Sequence, residues 1–134
     1  MFELYKQIAK QHKNLPLKDE RKLISLAKKG NISAKSKLLF SQTGFLLYRI
    51  KTMLYPEILN RYGEDIFQDC LIFVIKKIPS YNLRYKNKAG EFQPVYFRTY
   101  LWKGITGVII NSLKNKNEIF YGNLDNVKPS VKIR

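Results

Sequence analysis

Glu64, Asp65 and Asp69 place three carboxylates within six positions, in a chain with 10 Asp and Glu against 25 Lys and Arg. Carboxylates so spaced can bind a divalent cation, and a metal-dependent nuclease is one chemistry they would serve. With Gln68 between them, Asp65 and Asp69 also form a polar face at i, i+4 spacing, suited to meeting another protein. Groups for other chemistries are sparse. His12 is the one histidine and lies beside an expected helix end, and Cys70 is the one cysteine. There is no Gly-rich phosphate loop, nucleophile elbow or zinc spacing. We therefore expect no enzyme, no metal and no cofactor.

A second set of residues suits binding rather than catalysis. Residues 80–94 read SYNLRYKNKAGEFQP, with Arg84, Lys86 and Lys88 interleaved among Tyr81, Tyr85 and Phe92. Cations hold phosphates while ring faces stack on bases, a combination that suits single-stranded nucleic acid. The bland alternative is a mobile surface loop with incidental tyrosines.

The elements that must position these residues are helical. Residues 64–78 read as one helix, with Phe67, Cys70, Leu71, Val74 and Ile78 on one stripe and Asp65, Gln68, Asp69 and Ile72 on another. The acids sit in its first turns, where they suit the positive end of the helix dipole. Upstream, residues 2–12 form a weak amphipathic helix. Residues 17–29 form a better one, stopped by Gly30. Ser33 is the expected cap of a helix over 34–55. Pro56 breaks or kinks the chain, 57–62 add a short turn, and Gly63 separates that turn from the central helix. Pro79 ends the central helix, and a last helix runs over 95–115. Phe97, Leu101, Ile105, Val108, Ile109 and Leu113 form its buried stripe, with Gly104 and Gly107 as marks of close packing or of close ligand approach. No alternating strand pattern of useful length appears. The expected fold is all-α, a compact bundle of about four to five helices, with one domain over 1–117 (lead-in helices 1–30, bundle 33–117) and a linker or tail over 118–134.

The totals agree with a folded, anion-seeking protein. A hydrophobic fraction of 45% with 13% aromatics excludes a disordered basic tail, and a formal net charge of +15 attracts polyanions, nucleic acid first. A Lys-rich surface without a nucleic-acid partner is the plain alternative. A single cysteine excludes an internal disulfide, and Cys70 reads as a small core residue. No apolar run reaches membrane-span length and no signal peptide is visible, so the expected location is the cytoplasm.

The central segment EDIFQDCLIFVIKKIPSYN resembles the core-binding segment of bacterial sigma factors, the initiation subunits of RNA polymerase. The likeness lies in an acid-rich start, Gln68, Asp69, an apolar run to Ile78 and an aromatic at Tyr81. FRTYLWKGITGVIINSLKNK resembles the promoter-melting helix of the same domain, in the form seen in alternative and extracytoplasmic-function types. Residues 15–39 are similar to the family's lead-in helices, so the resemblance covers roughly residues 14–117. It implies that Asp65, Gln68 and Asp69 contact the clamp helices of the largest polymerase subunit, with Ile72 and Ile75 adding apolar contact. It implies that Tyr96, Thr99, Tyr100 and Lys103 face the promoter as it opens, with the non-template single strand as the DNA partner. Tyr81, Asn82 and Phe92 are the loop residues expected to grip a flipped base. Arg98, Lys103, Lys114, Lys116 and the basic loop residues Arg84, Lys86 and Lys88 are expected on the backbone. The family's primary members carry a tandem Trp where this chain has Lys103 and Gly104, and Trp102 sits one residue earlier, so a primary housekeeping role is not expected. No helix-turn-helix for the upstream promoter box follows. The implied chain is a fragment of a longer factor or a one-domain subunit working with a second sigma subunit, with an anti-sigma factor as a further partner. A basic helical DNA-binding regulator that never engages polymerase is the alternative, and an interaction adaptor with incidental charge is another.

Overall fold

In a computed structural model, which describes residues 3–12 and 15–116, five helices pack around one of them. They are α1 Glu3–Gln11, α2 Leu17–Lys28, α3 Ile32–Met53, α4 Pro56–Lys77 and α5 Phe97–Asn115. The hub is α3, which packs against all four others, and α4 packs along α5. Leu38, Leu46, Ile50 and Met53 of α3 meet Ile66, Phe67, Cys70 and Val74 of α4 and Phe97, Leu101, Ile105, Ile109 and Leu113 of α5 in one core. The fold is all-α. Among the described residues there is no strand, only an isolated antiparallel bridge between Lys86 and Phe92. Among the described residues, no helix is long and apolar enough to cross a membrane. The expected tail over 118–134 lies outside the described residues.

The corner between α2 and α3 follows from two residues. Gly30 adopts φ +95°, and the Gly30 and Asn31 amides donate to the carbonyls of Ala27 and Leu26. This pattern closes the end of α2 with a residue in the left-handed region, which glycine enters without steric cost. Asn31 then caps α3, its Oδ1 accepting from the Ala34 amide at 2.9 Å. The cap is therefore Asn31 and not Ser33. Asn is as good a cap as Ser, and the corner delivers it first.

The largest departure is in α4. Pro56 starts this helix rather than breaking the chain, because at the first helical position it loses no hydrogen bond. Gly63 is buried inside the helix and separates nothing. One interior glycine costs about 1 kcal/mol, less than the burial of the residues around it returns. Ile58, Tyr62 and Ile66 already carry an i, i+4 stripe across it.

Cys70 is fully buried on that stripe. Burial, with the Asp69 charge beside it, pushes its thiol from 9.0 up to about 12. A thiol whose pKa is raised by folding contributes stability that is complete below the unfolded pKa and is lost as pH climbs from 9.0 toward about 12. At pH 8 the native thiolate fraction is on the order of 1000-fold below the unfolded one. Iodoacetamide should therefore modify Cys70 only as fast as the chain unfolds. Rapid labelling of the native protein at pH 8 would contradict this burial.

Candidate protein-binding and nucleic-acid interfaces

The 22 residues of α4 divide into two faces. Ile66, Phe67, Cys70 and Val74 turn to the core. Asp65, Gln68, Ile72 and Ile75 occupy an arc of about 80° on the opposite side, by the 100° step of the helix. All four are exposed, Ile72 at 51% and Ile75 at 39%. Two half-exposed isoleucines flanked by a carboxylate and an amide form a small amphipathic patch. Asp69 does not share it fully. It is half-buried, and its Oδ2 accepts from the Ser112 hydroxyl of α5 at 2.7 Å. Its first role is to join α4 to α5, a geometry the i, i+4 spacing alone could not foretell. Among the described residues, no group of three His, Cys, Asp or Glu side chains is placed to hold a metal ion.

The segment after α4 is more ordered than its composition suggests. Asn87 Oδ1 accepts from the amides of Ala89 and Glu91, both at 3.0 Å. The Asn87 amide donates to Glu91, Gly90 to Asn87 and Gln93 to Tyr85. Gly90 supplies the turn at φ +80°. The result is a small hairpin-like loop over 85–93. Its base is fastened to α2, where Lys28 Nζ donates to the Tyr81 carbonyl at 2.7 Å and Arg21 Nη2 to the Leu83 carbonyl at 2.8 Å.

Tyr81 requires a correction. It is 1% exposed, its hydroxyl donates to the Val95 carbonyl, and its ring packs edge-on against Phe97 and Tyr100. Burial raises its pKa, opposed by the nearby Arg21 cation. A ring so enclosed cannot stack on a base. The residue closes the core beneath the loop, because the chain leaving α4 must cover the start of α5. Of the other loop rings, Phe92 is 56% exposed with the Arg21 guanidinium 5.0 Å from its ring centre, and Tyr85 is exposed. Asn82 is exposed, but its Oδ1 accepts from the Arg84 amide at 2.9 Å and so shapes the turn. Arg84, Lys86 and Lys88 are exposed.

On α5, Thr99, Tyr100, Lys103 and Lys114 lie within an arc of about 100° and are exposed. The hydroxyls of Tyr100 and Ser80 share a hydrogen bond of 2.8 Å, which fixes the ring at the surface. Tyr96 is half-buried and sits just before the helix, with the Arg98 guanidinium 4.0 Å from its ring centre. Arg98 lies outside the arc. Trp102 packs inward, its ring under the Arg49 guanidinium at 4.2 Å and beside Phe45. Arg49 is buried, desolvation lowers its pKa, and its Nη2 donates to Thr106 Oγ1 at 2.6 Å. Gly104 marks helix–helix contact, since a Cβ there would meet the Phe73 ring of α4 at 2.1 Å. Gly107 has nothing within 4 Å of such an atom and so marks no helix–helix packing.

The residue that places α5 is Glu20, which escapes sequence reasoning. It is 2% exposed on α2, its Oε1 accepts from the Phe97 amide at 2.7 Å, and its Oε2 accepts from Gln42 Nε2 at 3.2 Å. A carboxylate from α2 thus caps α5, which otherwise has no side-chain cap, and starts it at Phe97 rather than 95. Its partner lies 77 residues away in the chain, beyond the reach of any local signal. No family model, curated protein or solved structure matches this chain.

Proposed function

We propose that this chain is a sigma-like transcription initiation domain, which docks on core RNA polymerase through α4 and meets the melted non-template strand of the promoter's minus-ten element with the 85–93 loop and α5. A cytoplasmic location follows from this reading. The observation that carries it is the outward face of α4. Asp65, Gln68, Ile72 and Ile75 lie together in solvent on the helix that also supplies the core stripe, and exposed isoleucines beside polar anchors mark a binding patch better than a solvated face. The DNA side of the reading is supported by exposed cations beside exposed rings: Arg84, Lys86, Lys88 and Lys103 near Tyr85, Phe92 and Tyr100 in sequence.

The resemblance implies a docking contact for Asp69 too, but Asp69 is tied to Ser112, so its replacement would also loosen α5. Asp65→Lys and Ile72→Asp are cleaner, because both side chains are exposed. Each should reduce capture of core polymerase by about tenfold or more while the far-ultraviolet circular dichroism stays unchanged. Wild-type capture by both variants would end the reading. A regulator that ignores polymerase would instead bind duplex DNA tightly by itself, and single strands no better.

A further inference from the structure

A groove of about 620 Å³ runs between α2 and the chain leading to and from the loop, lined by Leu17, Lys18, Arg21, Lys22, Ser25, Leu83 and Pro94. Its size is that of a small-ligand site, within the usual few hundred to about 1000 Å³. Its lining is divided by chemistry. Leu17, Leu83 and Pro94 give apolar walls. Lys18, Arg21 and Lys22 give three cations on one side of α2, with the Ser25 hydroxyl one turn further on, and no lining residue is acidic. Lys18 and Lys22 are exposed, and among the described residues neither has a carboxylate within 4.0 Å.

Arg21 is held in the wall rather than waving in solvent. Its Nη2 is fixed on the Leu83 carbonyl and its guanidinium on the Phe92 ring. Its Nη1 is buried, and the cation lies beside the buried Tyr81 hydroxyl. The Arg21 charge so fixed stands beside Lys18 and Lys22 in the groove wall, where an anion would meet three cations together. A cationic end beside apolar walls suits a ligand with a phosphate at one end and a ring at the other.

We propose that this groove binds a single nucleotide, its phosphate on Lys18, Arg21, Lys22 and Ser25 and its base against Leu17, Leu83 and Pro94. The proposal does not rest on polymerase docking. The same chemistry is offered by a free nucleotide and by one nucleotide of a strand, and the two are separable by titration.

The experiment follows the amide NMR spectrum of the whole chain during titration with a nucleoside monophosphate, the matching unphosphorylated nucleoside, inorganic phosphate and a short single-stranded oligodeoxynucleotide. The nucleotide should shift Leu17, Lys18, Lys22, Ser25 and Leu83 together and saturate. The nucleoside and inorganic phosphate should each bind about tenfold or more weakly, as each lacks half of the contacts. Lys18→Glu with Lys22→Glu should weaken nucleotide binding about tenfold or more, and Lys51→Glu, an exposed site on α3, should leave it unchanged. Stronger binding of the oligonucleotide, in competition with the mononucleotide, assigns the groove to a strand; the reverse order assigns it to a free nucleotide, and both support the site. Absence of localised shifts in the unaltered chain, or phosphate binding as well as the nucleotide, overturns the proposal. Loss of polymerase capture with these shifts intact would count against the initiation reading alone.

Discussion

Replacing Glu20 with alanine should destabilise the fold by about 3 kcal/mol, near a third of a typical domain's stability. The buried carboxylate accepts from the Phe97 amide and from Gln42 Nε2. Hydrogen bonds to a charged acceptor are worth about 1.5–3 kcal/mol each, and their loss leaves a buried amide and a buried carboxamide without this acceptor. The desolvation cost of the carboxylate disappears with it and returns part of that sum, which is why the net lies below the total of two bonds. The loss should lower the melting temperature by about 12 °C for a domain of this size. Glu20→Gln keeps an acceptor for Phe97 but sets one amide group against another at Gln42, so its melting point should fall between the two. An alanine variant melting within about 3 °C of the wild type would show that the cap does not hold α5.

Gly104→Ala should cost about 1 kcal/mol, although alanine is the better helix former. The new Cβ would meet the Phe73 ring at 2.1 Å, so the ring must leave its place between α4 and α5. Displacing a packed side chain costs about 1–3 kcal/mol, against about 1 kcal/mol gained by removing an interior glycine. The sign should reverse when Phe73 is already alanine: in that background Gly104→Ala should stabilise by about 1 kcal/mol, because only the helix propensity remains. A double-mutant cycle by urea denaturation should therefore show a coupling of about 2 kcal/mol. Equal effects of Gly104→Ala in both backgrounds would remove the contact as the reason for the glycine.

Much of the frame is legible from spacing. The helix stripes and the stop at Gly30 follow from periodicity and from the conformational freedom of one residue. What is not legible depends on partners distant in the chain. Gly63 looks like a separator until the stripe of Ile58, Tyr62 and Ile66 is traced through it. Tyr81 looks like a loop aromatic because the sequence does not say that the chain folds back over Phe97 and Tyr100. Asp69 shares a helix arc with exposed residues, but Ser112 takes its carboxylate. The cations of α2 are readable as charge but not as a site, since their groove needs Leu83 and Pro94 from the segment between α4 and α5. Of the expected docking residues, Asp65, Gln68, Ile72 and Ile75 come together as a surface.

The fastening of the loop to α2 has a consequence for how the chain can vary. Lys28 holds Tyr81, Arg21 holds Leu83 and Glu20 holds Phe97, so a single helix grips both ends of the segment between α4 and α5. The closure entropy of that segment is met at its roots and not at its tip. Beyond the roots, doubling the length of a flexible loop costs only about 0.6 kcal/mol. The tip between Lys86 and Phe92 is therefore open to insertion, deletion and change of sequence at little expense to folding, and α2 is the strap that makes this tolerance possible.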